Sequence, residues 1–195
     1  MKVRRHYYFA PVLALAIAAF PAWAAEATAP GVPNFHQVDN HIYRGGQPND
    51  NGWQSLSKLG VKTVIDLRHD SRTANAEKHA VESAGMRYIS VPMNGILAPP
   101  DEQIHKVLSL LDAAADGLVF VHCRRGADRT GTVIACYRMT HDHWRNQKAL
   151  DEAKSLGMSW TEVGMKRYIL NFHAPLEQTA SATNVPAPAT AAAKP

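Results

Sequence analysis

Cysteine is scarce in this chain. Its 195 residues include only Cys123 and Cys136. This count excludes the framework of several disulfides that stabilises many small exported domains. It also excludes a structural zinc site with four cysteine ligands. A single bond between Cys123 and Cys136 is the one disulfide that the composition permits.

Long hydrophobic runs are absent beyond the N-terminus. Lys2, Arg4 and Arg5 precede an apolar stretch at about 7–20, and small residues follow at 22–24. This order is typical of a secretory signal peptide, and the apolar stretch is short for a membrane-spanning helix of ~20 residues. We expect cleavage after residue 24, a periplasmic or secreted protein, and no membrane span after cleavage. An uncleaved membrane anchor is the alternative.

Strong charge of one sign is also lacking. The chain has 21 basic and 17 acidic side chains, which gives a net charge of +4. Lys2, Arg4 and Arg5 supply most of that excess, so the remainder is nearly neutral. No stripe of basic residues with interleaved aromatics is present, and we therefore expect no nucleic-acid partner.

Composition separates a folded unit from two flanking segments. Residues 25–33 are rich in alanine and proline and predict a linker. Residues 175–195 combine several prolines with many alanines, which predicts a disordered tail. The expected domain is therefore 34–174, long enough to bury a full core.

Apolar runs alternate with helical patterns inside this unit. Strands are predicted at 42–44, 61–67, 86–91 and 118–121, and helices at about 49–59, 73–83, 101–115, 129–139, 145–156 and 161–173. This alternation predicts an α/β fold with a mostly parallel central sheet flanked by helices on both faces. Ligands bind such sheets at the carboxyl ends of the strands, where the last strand delivers Cys123.

The loop over 122–131 carries the chemistry of the chain. Cys123 supplies a thiol, and Arg129 supplies a permanent charge after five intervening residues. Gly126 permits a backbone conformation that other residues avoid. A helix begins at the end of the loop, so its backbone N–H groups can converge on an anion. The predicted phosphate-binding residues are Arg124, Arg125, Gly126, Ala127, Asp128 and Arg129.

These residues fit a two-step phosphate transfer. Arg129 can bind two phosphate oxygens, and the positive field favours the Cys123 thiolate, which attacks phosphorus. Thr130 is expected to donate a hydrogen bond to the thiolate that departs when the cysteinyl-phosphate is hydrolysed. We expect His122 to orient the loop by bonding backbone carbonyls. Neither step needs a metal or an organic cofactor.

The loop resembles the signature His-Cys-x-x-Gly-x-x-Arg-Thr-Gly of cysteine-based protein tyrosine and dual-specificity phosphatases. The matching positions are His122, Cys123, Gly126, Arg129, Thr130 and Gly131. Residues 43–48 (YRGGQP) and 64–68 (VIDLR) are similar to segments of the small atypical dual-specificity phosphatases of plants, fungi and bacteria. The resemblance covers about 34–174. It implies a protein tyrosine phosphatase-like fold and hydrolysis of phosphate monoesters.

The general acid departs from the pattern of that family. Its acidic residue usually lies on a movable loop before the cysteine, and the corresponding segment 91–96 has no carboxylate. Asp128 inside the loop is our preferred acid, since its position resembles that of the acid in certain lipid phosphatases. Asp101 is the second candidate, because the segment 98–100 before it could close over the site. Its structural alternative is a helix N-cap.

The sequence leaves two interpretations open for several further side chains. Arg124 and Arg125 could either contact additional phosphates of the substrate or be solvated loop side chains. Arg44 and Arg68 either line the pocket or brace the loop through Asp66, and an internal salt bridge is favoured.

Cys136 lies ~10 Å along the following helix from the loop. A disulfide needs Cα atoms within ~7 Å. We therefore expect Cys136 to be a buried apolar residue and Cys123 to stay free.

Three functions follow from these observations. The first is a cysteine-dependent phosphatase acting on a phosphorylated small molecule, a lipid headgroup or a phosphoprotein. The second is a non-catalytic phosphate-binding module, which only the missing upstream aspartate supports. The third is a sulfurtransferase, which fits the spacing of Cys123 and Arg129 less well.

Overall fold

The computed structural model describes residues 27–69, 71–113 and 117–174. The predicted signal peptide, the first two residues of the predicted linker and the predicted tail lie outside these ranges. Within them, no helix is both long and apolar enough to cross a membrane.

Five strands form one sheet in the described part of the chain. They are β1 (His36–Gln37), β2 (Ile42–Gly45), β3 (Val61–Asp66), β4 (Arg87–Ser90) and β5 (Leu118–His122). The order across the sheet is β1-β2-β5-β3-β4. Strand β1 pairs antiparallel with β2, and the remaining pairs are parallel. The predicted mostly parallel sheet is confirmed, and β1 escaped prediction because two residues show no periodicity.

Six helices lie in the same described ranges. They are α1 (Asp50–Lys58), α2 (Ser71–Ser83), α3 (Asp101–Asp112), α4 (Asp128–His141), α5 (Asn146–Ser155) and α6 (Val163–Asn171). Each corresponds to a predicted helix, with ends shifted by a few residues. Asn49 caps α1, since its Oδ1 accepts a hydrogen bond from the Gly52 N–H at 3.0 Å.

The sheet buries both of its faces. Successive residues of a strand point to opposite sides, and the two core clusters follow that alternation. Val64 and Phe120 belong to the cluster shared with α1 and α2. Ile65 and Val121 belong to the cluster shared with α3, α4, α5 and α6. The prediction of helices on both faces is therefore confirmed.

The segment predicted to be a linker is packed from residue 27 onward. Ala29 and Val32 are buried in the same cluster as Phe120. The Gly31 carbonyl accepts a hydrogen bond from the Asn49 N–H at 3.0 Å. The folded unit thus begins before residue 34, which corrects the predicted boundary. The packed residues there are small and apolar, and composition cannot distinguish such a segment from a linker.

Candidate active site

The loop over 122–131 joins β5 to α4 at the carboxyl edge of the sheet. Cys123 follows the last residue of β5 and is 1% exposed. Gly126 has a φ of 71°, and a Cβ on it would lie 2.3 Å from the Gly45 carbonyl carbon. The position therefore requires glycine, and the turn after β2 is packed directly against the loop.

Donors from outside the loop bind its carbonyl groups. The Gln47 N–H donates to the Arg124 carbonyl at 3.1 Å. The Gly126 carbonyl accepts from Arg44 Nη2 at 2.8 Å and from Asn34 Nδ2 at 3.1 Å. In a planar trans peptide the N–H points opposite to the C=O. The N–H groups of the same peptides therefore face the inside of the loop, as an anion-binding loop requires.

Arg129 borders a pocket of about 600 Å³. The residues that line this pocket are Gln47, Arg68, His69, Thr73, Arg124 and Arg129. Arg129 Nη1 lies 3.4 Å from the Leu67 carbonyl and 3.5 Å from the Met93 carbonyl. Because these contacts are long, they are weak, and the guanidinium keeps donors for a bound phosphate.

His122 belongs to a buried cluster of charged groups behind the loop. Its Nε2 lies 2.8 Å from Glu77 Oε1, and its Nδ1 lies 3.4 Å from the Cys123 carbonyl oxygen. Arg68 binds Asp66 at 2.8 Å and also contacts Glu77. Burial alone would raise the pKa of the Asp66 carboxyl, but the hydrogen bonds and charge of Arg68, together with His122, outweigh burial and lower the pKa below its usual value.

This cluster also has the composition of a metal site. Ligand atoms of Asp66, Glu77 and His122 lie within 4.8 Å of one another. The Arg68 guanidinium, however, already pairs with both carboxylates. Arg68 therefore supplies the positive charge that a metal ion would bring.

The two arginines predicted to brace the loop do so differently. The salt bridge between Arg68 and Asp66 is present. Arg44 does not act through Asp66, because it reaches the Gly126 carbonyl directly. The sequence showed two nearby cations but not which side of the sheet each one faces.

Asp128 is the first residue of α4, and both of its carboxylate oxygens accept hydrogen bonds. Oδ1 accepts from the Ser159 N–H at 2.8 Å, and Oδ2 accepts from Arg125 Nη2 at 2.6 Å. The Arg125 side chain is 58% exposed, so it can leave without disturbing the core. Asp128 therefore lies in the loop as expected, and its role as the acid stays a prediction that requires this release.

Arg124 and Arg125 have different environments. Arg124 lines the pocket beside Arg129. Arg125 is paired with Asp128 instead. Of the two extra cations in the loop, Arg124 is thus the better placed for a second phosphate.

Asp101 lies apart from the pocket of Arg129. It is the first residue of α3, and Pro100 occupies the N-cap without a side-chain hydrogen bond, so Asp101 is not the cap. Asp101 Oδ1 accepts a hydrogen bond from the Tyr168 hydroxyl at 2.7 Å. It borders a separate groove of about 610 Å³ between α3 and α6. Its role as an acid would need movement of the preceding loop and stays a prediction.

Thr130 and the two cysteines are all buried, and the role of Thr130 as a donor to the thiolate stays a prediction. Thr130 is buried, and among the described residues its hydroxyl has no hydrogen-bond partner. Both cysteines are free and buried. Burial raises the pKa of the Cys136 thiol, which suits a core residue rather than a nucleophile.

Four residues near the loop were missed by sequence reasoning, and one of them, Asn34, binds the Gly126 carbonyl. Gln47 and His69 line the pocket. They follow β2 and β3, whose carboxyl ends share an edge with β5, so this rule of parallel sheets could have indicated them. Glu77 lies on α2 against His122, and no local pattern reports a contact of that kind.

The fold and the loop together define a class of protein. A cysteine at the end of a central parallel strand, a loop with inward N–H groups and an arginine at the next helix are the parts of a cysteine-based phosphate-binding site.

Known proteins with the same features support this assignment. The family model "DSP-PTPase phosphatase fused to NAD+ Kinase" matches residues 16–169. The dual specificity protein phosphatase TpbA of Pseudomonas aeruginosa is 31% identical over 137 residues, which cover 70% of this chain and 60% of TpbA. The inositol diphosphatase DSP5 of Arabidopsis thaliana is 27% identical over 72% of this chain and 70% of its own length.

A crystal structure of P. aeruginosa TpbA has the same fold. It superimposes with a TM-score of 0.65 at 29% identity, over 78% of this chain and 92% of that one. The chain therefore belongs to the DSP-PTPase family of phosphatases. This membership favours the phosphatase hypothesis over the sulfurtransferase.

Proposed function

We propose that this protein is an exported phosphatase that hydrolyses phosphate monoesters through a cysteinyl-phosphate intermediate on Cys123. One observation carries the proposal: donors from Arg44, Gln47 and Asn34 bind the loop carbonyls from outside. The backbone N–H groups therefore point to the inside of the loop. Cys123 lies at the start of the loop and Arg129 near its end. Export is supported by the signal-like order of residues 1–24.

The reaction has two balanced steps. In the first, Arg129 donates to two phosphate oxygens while the Cys123 thiolate attacks phosphorus and the ester P–O bond breaks. The departing oxygen takes a proton from the general acid, for which Asp128 is the first candidate. In the second, water attacks phosphorus and gives a proton to the carboxylate of the general acid, the P–S bond breaks, and Cys123 is released as a thiolate. In this scheme Thr130, whose buried hydroxyl has no hydrogen-bond partner among the described residues, donates a hydrogen bond to that thiolate.

Two substrate classes are favoured by different observations. Ile96 and Leu97 are 76% and 63% exposed, and their turn lies near Arg129, since a Cβ on Gly95 would be 3.8 Å from the guanidinium carbon. An apolar rim of this kind favours an aromatic ester such as phosphotyrosine. Arg124 and His69 line the pocket beside Arg129. These donors favour a substrate with a second phosphate, such as an inositol phosphate or a phosphoinositide headgroup.

The experiment is hydrolysis of para-nitrophenyl phosphate by the full chain with EDTA and reductant. Cys123→Ser and Cys136→Ser form a matched pair, because each removes one of two buried thiols. We expect turnover without added metal in the wild type and in Cys136→Ser, and none in Cys123→Ser.

Turnover that survives Cys123→Ser would overturn the covalent mechanism. No turnover with this ester, phosphotyrosine peptides, phosphoinositides or inositol phosphates, together with tight binding of inorganic phosphate, would instead support the non-catalytic module.

A further inference from the structure

Arg44 is a charged side chain in an unusual place. It lies on β2 and is 1% exposed, and it is among the largest fully buried side chains described. Nη2 donates to the Gly126 carbonyl at 2.8 Å. Among the described residues, Nε and Nη1 have no hydrogen-bond partner. Because unpaired buried donors are costly, an apolar residue would fill this space more favourably if packing were its only purpose.

The position of Arg44 places its charge underneath the phosphate loop. A Cβ on Gly131 would lie 3.7 Å from Arg44 Nη2, so the guanidinium packs against the first turn of α4. Arg129 borders the substrate pocket, whereas Arg44 is enclosed by protein. Arg44 therefore cannot contact the substrate, and any effect on the reaction passes through the loop.

Charges around Arg44 connect it to the nucleophile. Burial lowers the pKa of Arg44 to about 10, while the charges of Glu152 and Cys123 oppose that change and Arg138 adds to it. The guanidinium thus remains positive at neutral pH. Arg44 lies opposite Val121 in the pairing of β2 with β5, two residues before Cys123. Its charge therefore lies close behind the start of the loop, where it attracts an anion.

We propose that Arg44 is a positioning residue of the phosphate loop, with two effects. It holds the Gly126 carbonyl away from the bound phosphate, and it places a buried positive charge behind Cys123. The inference rests on the proposed function, since it assigns a role within the same site. It explains why an arginine stands immediately before the glycines that pack against the loop.

The test compares Arg44→Met, Arg44→Lys and Arg138→Met in a Cys136→Ala background, where Cys123 is the sole thiol. Methionine removes the charge and the donor at similar length, and lysine keeps the charge without the planar fork. Arg138→Met is the control, because Arg138 is also largely buried and binds Glu152 at 3.0 Å. The readouts are alkylation of Cys123 by iodoacetamide at mildly acidic pH, calorimetric binding of inorganic phosphate, and kcat and KM.

We expect Arg44→Met to slow alkylation about tenfold relative to Arg138→Met. Phosphate binding should weaken in Arg44→Met and in Arg44→Lys, and kcat should fall more than KM changes. Arg44→Lys should restore the alkylation rate, because it restores the charge.

Wild-type alkylation and phosphate binding in folded Arg44→Met would overturn the proposal, and so would equal losses in Arg138→Met. If Arg44→Met does not fold, Arg44→Lys decides. The proposal is supported if Arg44→Lys keeps the alkylation rate within about threefold of the wild-type rate and binds phosphate more weakly. Any other combination of these two results overturns it. Alkylation and phosphate binding need no turnover, so the test is independent of whether the wild type hydrolyses the chosen substrate.

Discussion

Arg129 and Arg44 lie on opposite sides of the same loop and have opposite environments. Arg129 borders an open pocket and makes only long contacts with backbone carbonyls. Arg44 is enclosed by protein and makes one short hydrogen bond to the loop itself. The comparison separates two tasks. One arginine is available to a phosphate, and the other holds the structure that receives it.

The largest effect on this comparison should come from Arg129→Lys. Lysine keeps the charge but cannot bind two phosphate oxygens at once, so we expect kcat/KM to fall by about 10²–10³-fold. Arg44→Lys should lose less, because Arg44 does not touch the substrate. Steady-state kinetics on one aryl phosphate measure both variants. Equal losses of kcat/KM in Arg129→Lys and Arg44→Lys would show that the two arginines do not have the separate tasks of binding the substrate and supporting the loop.

The next effect concerns the general acid. Asp128→Asn should lower kcat about 10²-fold on alkyl phosphates and much less on para-nitrophenyl phosphate, whose leaving group departs readily as an anion. Asp101→Asn is the matched variant, since Asp101 also begins a helix and accepts one side-chain hydrogen bond. Equal losses of Asp128→Asn on both esters would assign Asp128 a structural role. A selective loss in Asp101→Asn would transfer the acid role there.

A smaller effect is expected from the cluster behind His122. Glu77→Gln weakens the contacts of this side chain with His122 and Arg68. The His122 side chain is fully buried and that of Arg68 is 12% exposed. The free energy of unfolding should fall by about 2 kcal/mol, with a modest loss of kcat. Denaturant unfolding measures the first quantity, and Glu82→Gln on the exposed side of α2 is the control. An unchanged free energy of unfolding would show that the cluster does not support the loop.

The smallest effect should appear in Arg124→Ser. Arg124 is exposed at the pocket, where one ion pair contributes about 1 kcal/mol or less. We therefore expect a loss of up to about fivefold in kcat/KM for inositol polyphosphates and none for para-nitrophenyl phosphate. Losses of the same size on both substrates would argue against a second phosphate position.

The sequence predicted the parts that follow local rules. Strands β3 and β5 are runs of apolar residues, and α4 begins where the glycine-containing loop ends, so sheet, helices and nucleophile could all be placed. The contacts between segments that are distant in the sequence could not be predicted. Asn34 and Arg44 reach the same carbonyl of Gly126 from far along the chain, and such pairings depend on packing rather than on spacing.

The boundaries of the domain show the same limit. Ala29 and Val32 have the composition of a linker and the burial of core residues. Their environment is set by Tyr43 and Phe120, which belong to the same core cluster on one face of the sheet. A segment without periodicity carries no signal of what it packs against.

The most direct test of the central claim is detection of the phosphorylated enzyme. The full chain would be mixed with para-nitrophenyl phosphate, quenched in alkaline denaturant within the first turnover so that the acid-labile P–S bond survives, and mapped by mass spectrometry of its peptides. We predict one phosphoryl group on Cys123, absent in Cys123→Ser and present in Cys136→Ser. Rapid turnover with no phosphoryl group on Cys123 at any quench time, or with the group on another residue, would contradict the account.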